Sequence, residues 1–153
     1  MRHKYIFGLT VVVLILFAPA LSSFEVQAQC KAFVKTGCLP NLSLYIHDGS
    51  YQAVVMSEGE EAEIYKTIFA GQQYRLHVCS DDNLPDIEFV ISDIQRNILF
   101  DNRKNNYTKQ WDFKSTTSQQ IKVTIRVPKT KKGAQEKELT FGCVGILFGL
   151  LER

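Results

Sequence analysis

From Gln120 to Val127 the chain alternates strictly. Ile121, Val123, Ile125 and Val127 are apolar, and Lys122, Thr124 and Arg126 between them are polar. A period of two is that of a strand with one buried and one wet face. Tyr74, Leu76 and Val78 alternate with Arg75 and His77 in the same way, and Ile87, Phe89 and Ile91 bracket Glu88. Shorter runs predict strands at Cys30–Lys35, Tyr51–Ser57, Ala62–Phe69, Asn97–Asp101 and Gln110–Lys114. The last run, Leu139–Leu151, is apolar at almost every position. That suits a central strand buried on both faces, with Gly142, Gly145 and Gly149 marking bulges or close packing.

Turn-forming residues punctuate these runs: His47-Asp48-Gly49-Ser50, Ala70-Gly71-Gln72, the Ser80–Pro85 loop and the Asp101–Asn106 loop. Lys129 to Glu138 reads as a polar hairpin loop, solvated and suited to breaking up a sheet edge. No stretch keeps a helical period, so no long helix is expected. The pattern predicts an all-β fold, an antiparallel sandwich of about eight or nine strands, jelly-roll-like in character.

The first residues follow another rule. Arg2, His3 and Lys4 precede an apolar run from Ile6 to Ala18, then Pro19. This is the layout of an export signal, with cleavage expected after Ala28, or alternatively after Ser22. The apolar run is too short for the roughly 20 residues a spanning helix needs, so no membrane anchor is expected after cleavage. The domain then occupies residues 29–153. Losing Arg2, Lys4 and Glu25 lowers the formal net charge from +2 to +1. A chain this neutral has no electrostatic footprint for nucleic acid.

All four cysteines, Cys30, Cys38, Cys79 and Cys143, lie beyond the expected cleavage site. In an exported chain they read as two structural disulfides, with all three pairings open. A link from Cys30 or Cys38 to Cys143 would tie the first strand to the last. The spacings lack the close C-x2-C pairs of zinc and thiol redox sites.

Candidate chemistry is sparse. Asp81, Asp82 and Asp86 cluster with Asn83 in one loop and offer oxygen ligands of the kind calcium takes, though without EF-hand spacing. Otherwise they are polar turn residues. Glu58, Glu60, Glu61 and Glu63 are expected at an exposed strand start. His47 and His77 are expected at the surface, and no G-x-S-x-G accompanies them. Trp111 alternates with Phe113 across Asp112 and is expected mainly in the core. Trp111 and Tyr107 are nevertheless the aromatics best suited to contact a ligand. Asn41-Leu42-Ser43 and Asn106-Tyr107-Thr108 match the N-glycosylation sequon, which matters only in a eukaryotic source.

Gly59-Glu60-Glu61-Ala62-Glu63-Ile64, the turn Ala70–Leu76, Ile87–Ile91, Asn97–Phe100, Trp111-Asp112-Phe113 and the strand Gln120–Val127 together resemble the bacterial pre-peptidase C-terminal domain. The whole mature chain also resembles small secreted proteins of Bacteroidota, with a C…C-L-P start and a G-C-V ending. The first resemblance implies a β-sandwich with an accessory role, in some members calcium-binding. The second implies a periplasmic or extracellular home.

These readings point to an exported, non-catalytic binding or accessory module. Its ligand is expected to be a polysaccharide, a peptide or an envelope or extracellular protein, with calcium as a candidate helper. The alternatives are an assembly subunit that associates through sheet edges and a small secreted hydrolase.

Overall fold

In the computed structural model, which describes residues 21–130 and 140–151, the alternating runs become strands stacked in two layers. The order is helix α1 (Leu21–Phe33), a π-helical turn (Val34–Cys38) and a 3-10 turn (Leu39–Leu42). Then come β1 (Tyr45–Ser57), β2 (Glu61–Ile68), β3 (Gln73–Ser80), β4 (Glu88–Asp93), β5 (Ile98–Asp101), a 3-10 turn (Asn102–Lys104), β6 (Gln110–Lys114), β7 (Gln119–Arg126) and β8 (Phe141–Leu151). One sheet has the order β1-β8-β3-β6, the other β2-β7-β4-β5, and every pairing is antiparallel. The β-sandwich is therefore the fold. Among the described residues no helix is long and apolar enough to cross a membrane.

The inward residues of both sheets form the main core. Leu76, Val144 and Ile146 from one sheet meet Phe89, Ile91, Val123 and Ile125 from the other, all almost fully buried. Burying each such side chain contributes about 1.5–3 kcal/mol. The two layers are also closed along their sides. On one side Lys66 of β2 reaches Asp48 of β1 and lies over the Phe148 ring. On the other, Phe100 of β5 stacks on Trp111 of β6 at 5.1 Å between ring centres.

A second core lies on the far face of the first sheet. Cys30, Val34, Cys38 and Leu42 of the N-terminal segment pack there against Tyr45, Ala53 and Leu147. Disulfides Cys30–Cys143 and Cys38–Cys79 fasten the segment to β8 and β3. The segment sits close because β8 has no side chain beneath it at Gly145 or Gly149. A Cβ at Gly145 would lie 2.6 Å from Val34 Cγ2 and 2.7 Å from Cys79 Sγ, and one at Gly149 2.6 Å from Tyr45 Cβ. The glycines of the last strand thus serve close packing. The first sheet is the capped sheet, and the second, whose outer face carries no such cover among the described residues, is the open sheet.

Three expectations are corrected. Cys30–Lys35 is helical rather than extended. Cys30, Val34 and Cys38 recur every fourth residue, and all three are buried on one side of a helical path. Cys143 is accordingly tied to a helix, not to a first strand. The helix there is short, the 13 residues of α1, and packing on the sheet, not its own periodicity, gives it a place. The His47–Ser50 segment is a bulge inside β1, where the register with β8 jumps between His47 and Tyr51, and not a chain reversal. Asp48 Oδ1 accepts from both the amide and the hydroxyl of Ser50 there, an Asx turn. The basic n-region, the apolar run to Ala18 and residues 131–139 of the hairpin loop lie outside the described residues.

Candidate binding face

The outer face of the open sheet is built by the polar half of each alternating strand. Register places Glu61, Arg126 and Glu88 in one cross-strand row. Glu63, Thr124, Val90 and Asp101 form the next row, and Tyr65, Lys122 and Ser92 the third. Opposite charges meet across strands: Arg126 Nε lies 3.3 Å from Glu61 Oε2 and Lys122 Nζ 2.7 Å from Glu63 Oε1. The Lys122 ammonium holds the Glu63 carboxyl below its usual range. Arg103 folds back from the 3-10 turn and grips Asp101 with two bonds of 2.9 and 2.8 Å. That guanidinium lowers the Asp101 pKa although the carboxylate is nearly buried.

A hollow of about 220 Å³ opens among Glu61, Glu88, Val90, Arg103, Thr124 and Arg126. It shares Glu88 and Arg126 with a second hollow of about 430 Å³ that runs past Pro128 to Lys129. Together they form one shallow groove from the sheet face to its rim. Among the described residues neither Glu88 nor Lys129 makes an ion pair. The groove thus holds an acid, whose charge acts on Arg103 at a distance, and the Lys129 ammonium at its rim, beside the flat apolar surface of Val90. That chemistry suits polar and charged groups.

The residues singled out by sequence fall elsewhere. Asp81 Oδ1 accepts from the Asn83 amide and Oδ2 from the Cys143 amide, each at 2.9 Å, so its carboxylate stitches the loop to β8. Asp82 and Asp86 are exposed. Among the described residues no three His, Cys, Asp or Glu side chains are grouped to hold a metal. The acidic quartet is dispersed: Glu58 accepts from Thr130 and Glu60 from the Ser57 amide, while Glu61 and Glu63 pair with β7. Tyr107 is exposed, with φ at 52° in the β5–β6 loop beside Asp86 and Lys109. Trp111 is half-buried in the side seam, stacked on Phe100 and, at 4.0 Å, on Phe113. Its ring area is largely spent on its neighbours. Asn41 Nδ2 bonds the Gly37 carbonyl and lies 3.3 Å from His77 Nε2, whereas Asn106 is exposed.

The histidines correct the surface expectation. His77 is 5% exposed because the N-terminal segment covers the polar side of β3. Burial, with help from the Arg75 and Lys109 charges, pushes its pKa down to about 4. Its Nδ1 has no partner among the described residues. His47 is half-buried, its Nε2 4.0 Å from Asp48 Oδ1. Among the described residues neither ring is hydrogen-bonded to a hydroxyl or a thiol, and all four cysteines are oxidised.

Sequence reasoning did not single out Glu88, Arg103, Arg126 and Lys129 as a site. The signal was present in the polar positions of β7, but polarity alone does not distinguish a wet face from a binding face.

No protein-family model matches the chain, and no curated protein does. Among solved structures it is similar to the periplasmic inhibitor of g-type lysozyme from Aeromonas hydrophila, at 9% identity and a TM-score of 0.46, over 66% of this chain and 84% of that one. The corresponding inhibitor from Salmonella Typhimurium gives 11% identity and a TM-score of 0.38, over 65% and 89%. A de novo designed double-stranded β-helix gives 13% and 0.29, over 66% and 97%. At such identities and TM-scores, nothing about ligand or activity passes from those proteins to this chain.

Proposed function

We propose that this chain is an exported, non-catalytic module that binds a protein partner through the outer face of its open sheet. The observation that carries the reading is the asymmetry of the sandwich: one sheet is covered on its outer face along β1, β8 and β3, and the other, among the described residues, leaves a flat, charge-patterned face with a groove between Glu88, Arg126 and Lys129. A wide shallow groove with charges of both signs suits a protein surface better than a small molecule, which favours a deep apolar pocket. Two disulfides and the signal-like first residues support export.

The test places a photo-crosslinking residue at Val90 on the face or at Thr36 on the cap, in the producing cell. Discrete protein adducts from Val90 alone, lost on Arg126→Glu, are the expected result. Equal labelling from both positions, or none from Val90, rejects the reading.

A further inference from the structure

The free strand edges of the sandwich differ in how they are protected. β1 carries the bulge at His47–Tyr51, and Gln27 Nε2 occupies its Ala53 carbonyl at 2.7 Å. β5 is four residues long with a register break, and β6 is five residues long. β2 has neither device. It is eight residues long, pairs with β7 without interruption from Glu61 to Ile68, and has no partner on its other edge among the described residues. A long regular edge is a template for another strand.

One residue breaks the apolar inward side of β2. Ala62, Ile64 and Ile68 point toward the core, and Lys66 shares their side. Lys66 does not reach open solvent freely. It bonds Asp48 Oδ2 in the β1 bulge and lies 5.4 Å over the Phe148 ring. Its side chain is 26% exposed and that of Asp48 20%. The pair spans the gap between the two sheets at the place where the inward side chains of an added strand would have to sit.

We propose that Lys66, held in place by Asp48, is a guard that stops the β2 edge from pairing with β2 of a second copy. Residues opposite each other in an antiparallel pair share a face. A two-fold pairing centred on Ile64 sets Lys66 against Ala62 of the other copy, and one centred on Tyr65 sets it against Ile64. Either buries an ammonium against an apolar side chain, which is costly. An apolar residue at position 66 removes that cost and completes a continuous inward row.

The experiment is light scattering across a concentration series on the wild type, Lys66→Val, Lys66→Met and Asp48→Asn, with hydrogen exchange on β2. The wild type is expected to stay at monomer mass with fast exchange at the free edge. Lys66→Val and Lys66→Met are expected to shift toward twice that mass as concentration rises, with β2 amides gaining protection. Adding Ile64→Lys to Lys66→Val moves the charge to the neighbouring inward position and is expected to restore the monomer. If Lys66→Val does not fold, Lys66→Met and Asp48→Asn carry the test, Asp48→Asn releasing the guard without altering β2. Folded Lys66 variants that remain monomeric overturn the proposal. So does self-association unaffected by Ile64→Lys, or a wild type that already dimerises through β2.

Discussion

β8 and β7 each have two neighbours, one strand in either sheet, yet they differ along their whole length. In β8 Val144, Ile146 and Phe148 face the sandwich core, and the opposite face carries Cys143, Gly145, Leu147 and Gly149 under the N-terminal segment. In β7 Ile121, Val123 and Ile125 face the same core, and the opposite face carries Lys122, Thr124 and Arg126. The contrast teaches that a sheet face is made a structural or a working surface by what covers it. The capped face holds small and apolar residues fitted to one fixed neighbour. The open face holds long polar residues that, among the described residues, pair mainly across its own strands.

The comparison breaks most completely if the cover is detached. Replacing Cys30 and Cys143 by serine removes a link spanning 113 residues and is expected to cost about 4–5 kcal/mol by chain entropy. Urea unfolding followed by Trp111 fluorescence measures it.

Acid is expected to act on the capped face next. Burial holds the folded pKa of His77 at about 4 against the ordinary 6.5 of a histidine, so between those values the unfolded chain binds the extra proton. Stability is then full above about pH 6.5, falls as pH drops toward 4 and loses no more to this group below that. The total is on the order of 3 kcal/mol. His77→Leu should flatten this part of the pH profile; an unchanged slope would assign it to other groups.

Gly145→Val sharpens the contrast residue by residue. Its side chain meets Val34 and Cys79, and overpacking of this kind costs about 1–3 kcal/mol. Thr124→Val, on the half-buried open face of β7, should change stability by no more than about 0.5 kcal/mol. Denaturant midpoints of the two variants make the comparison direct.

Strands were readable wherever one face is wet. β7 and β6 match their expected spans closely, because alternation and the flanking turns report local geometry. β8 was readable from its unbroken apolar run. The N-terminal segment was misread because its informative residues, Cys30, Val34, Cys38 and Leu42, are few and far apart. Only the sheet beneath them shows that they share a side. His77 was misread for the same reason: a polar residue alternating with apolar ones looks wet until something lands on it. The groove was not legible at all, since Glu88 and Arg126 are brought together by cross-strand register.

The connectivity of the bridges also sets an order in time. Cys30–Cys143 encloses Cys38–Cys79, so the pairs are nested rather than consecutive. A chain that emerges from its N-terminus exposes Cys30 and Cys38 together, long before either final partner appears. An oxidant acting on arrival would meet those two first, and a bond between them would have to be undone before the final pairs could form. On that order of delivery, maturation would call for reshuffling, a process of seconds to hours, and for a catalyst able to break a premature bond as well as to make a final one.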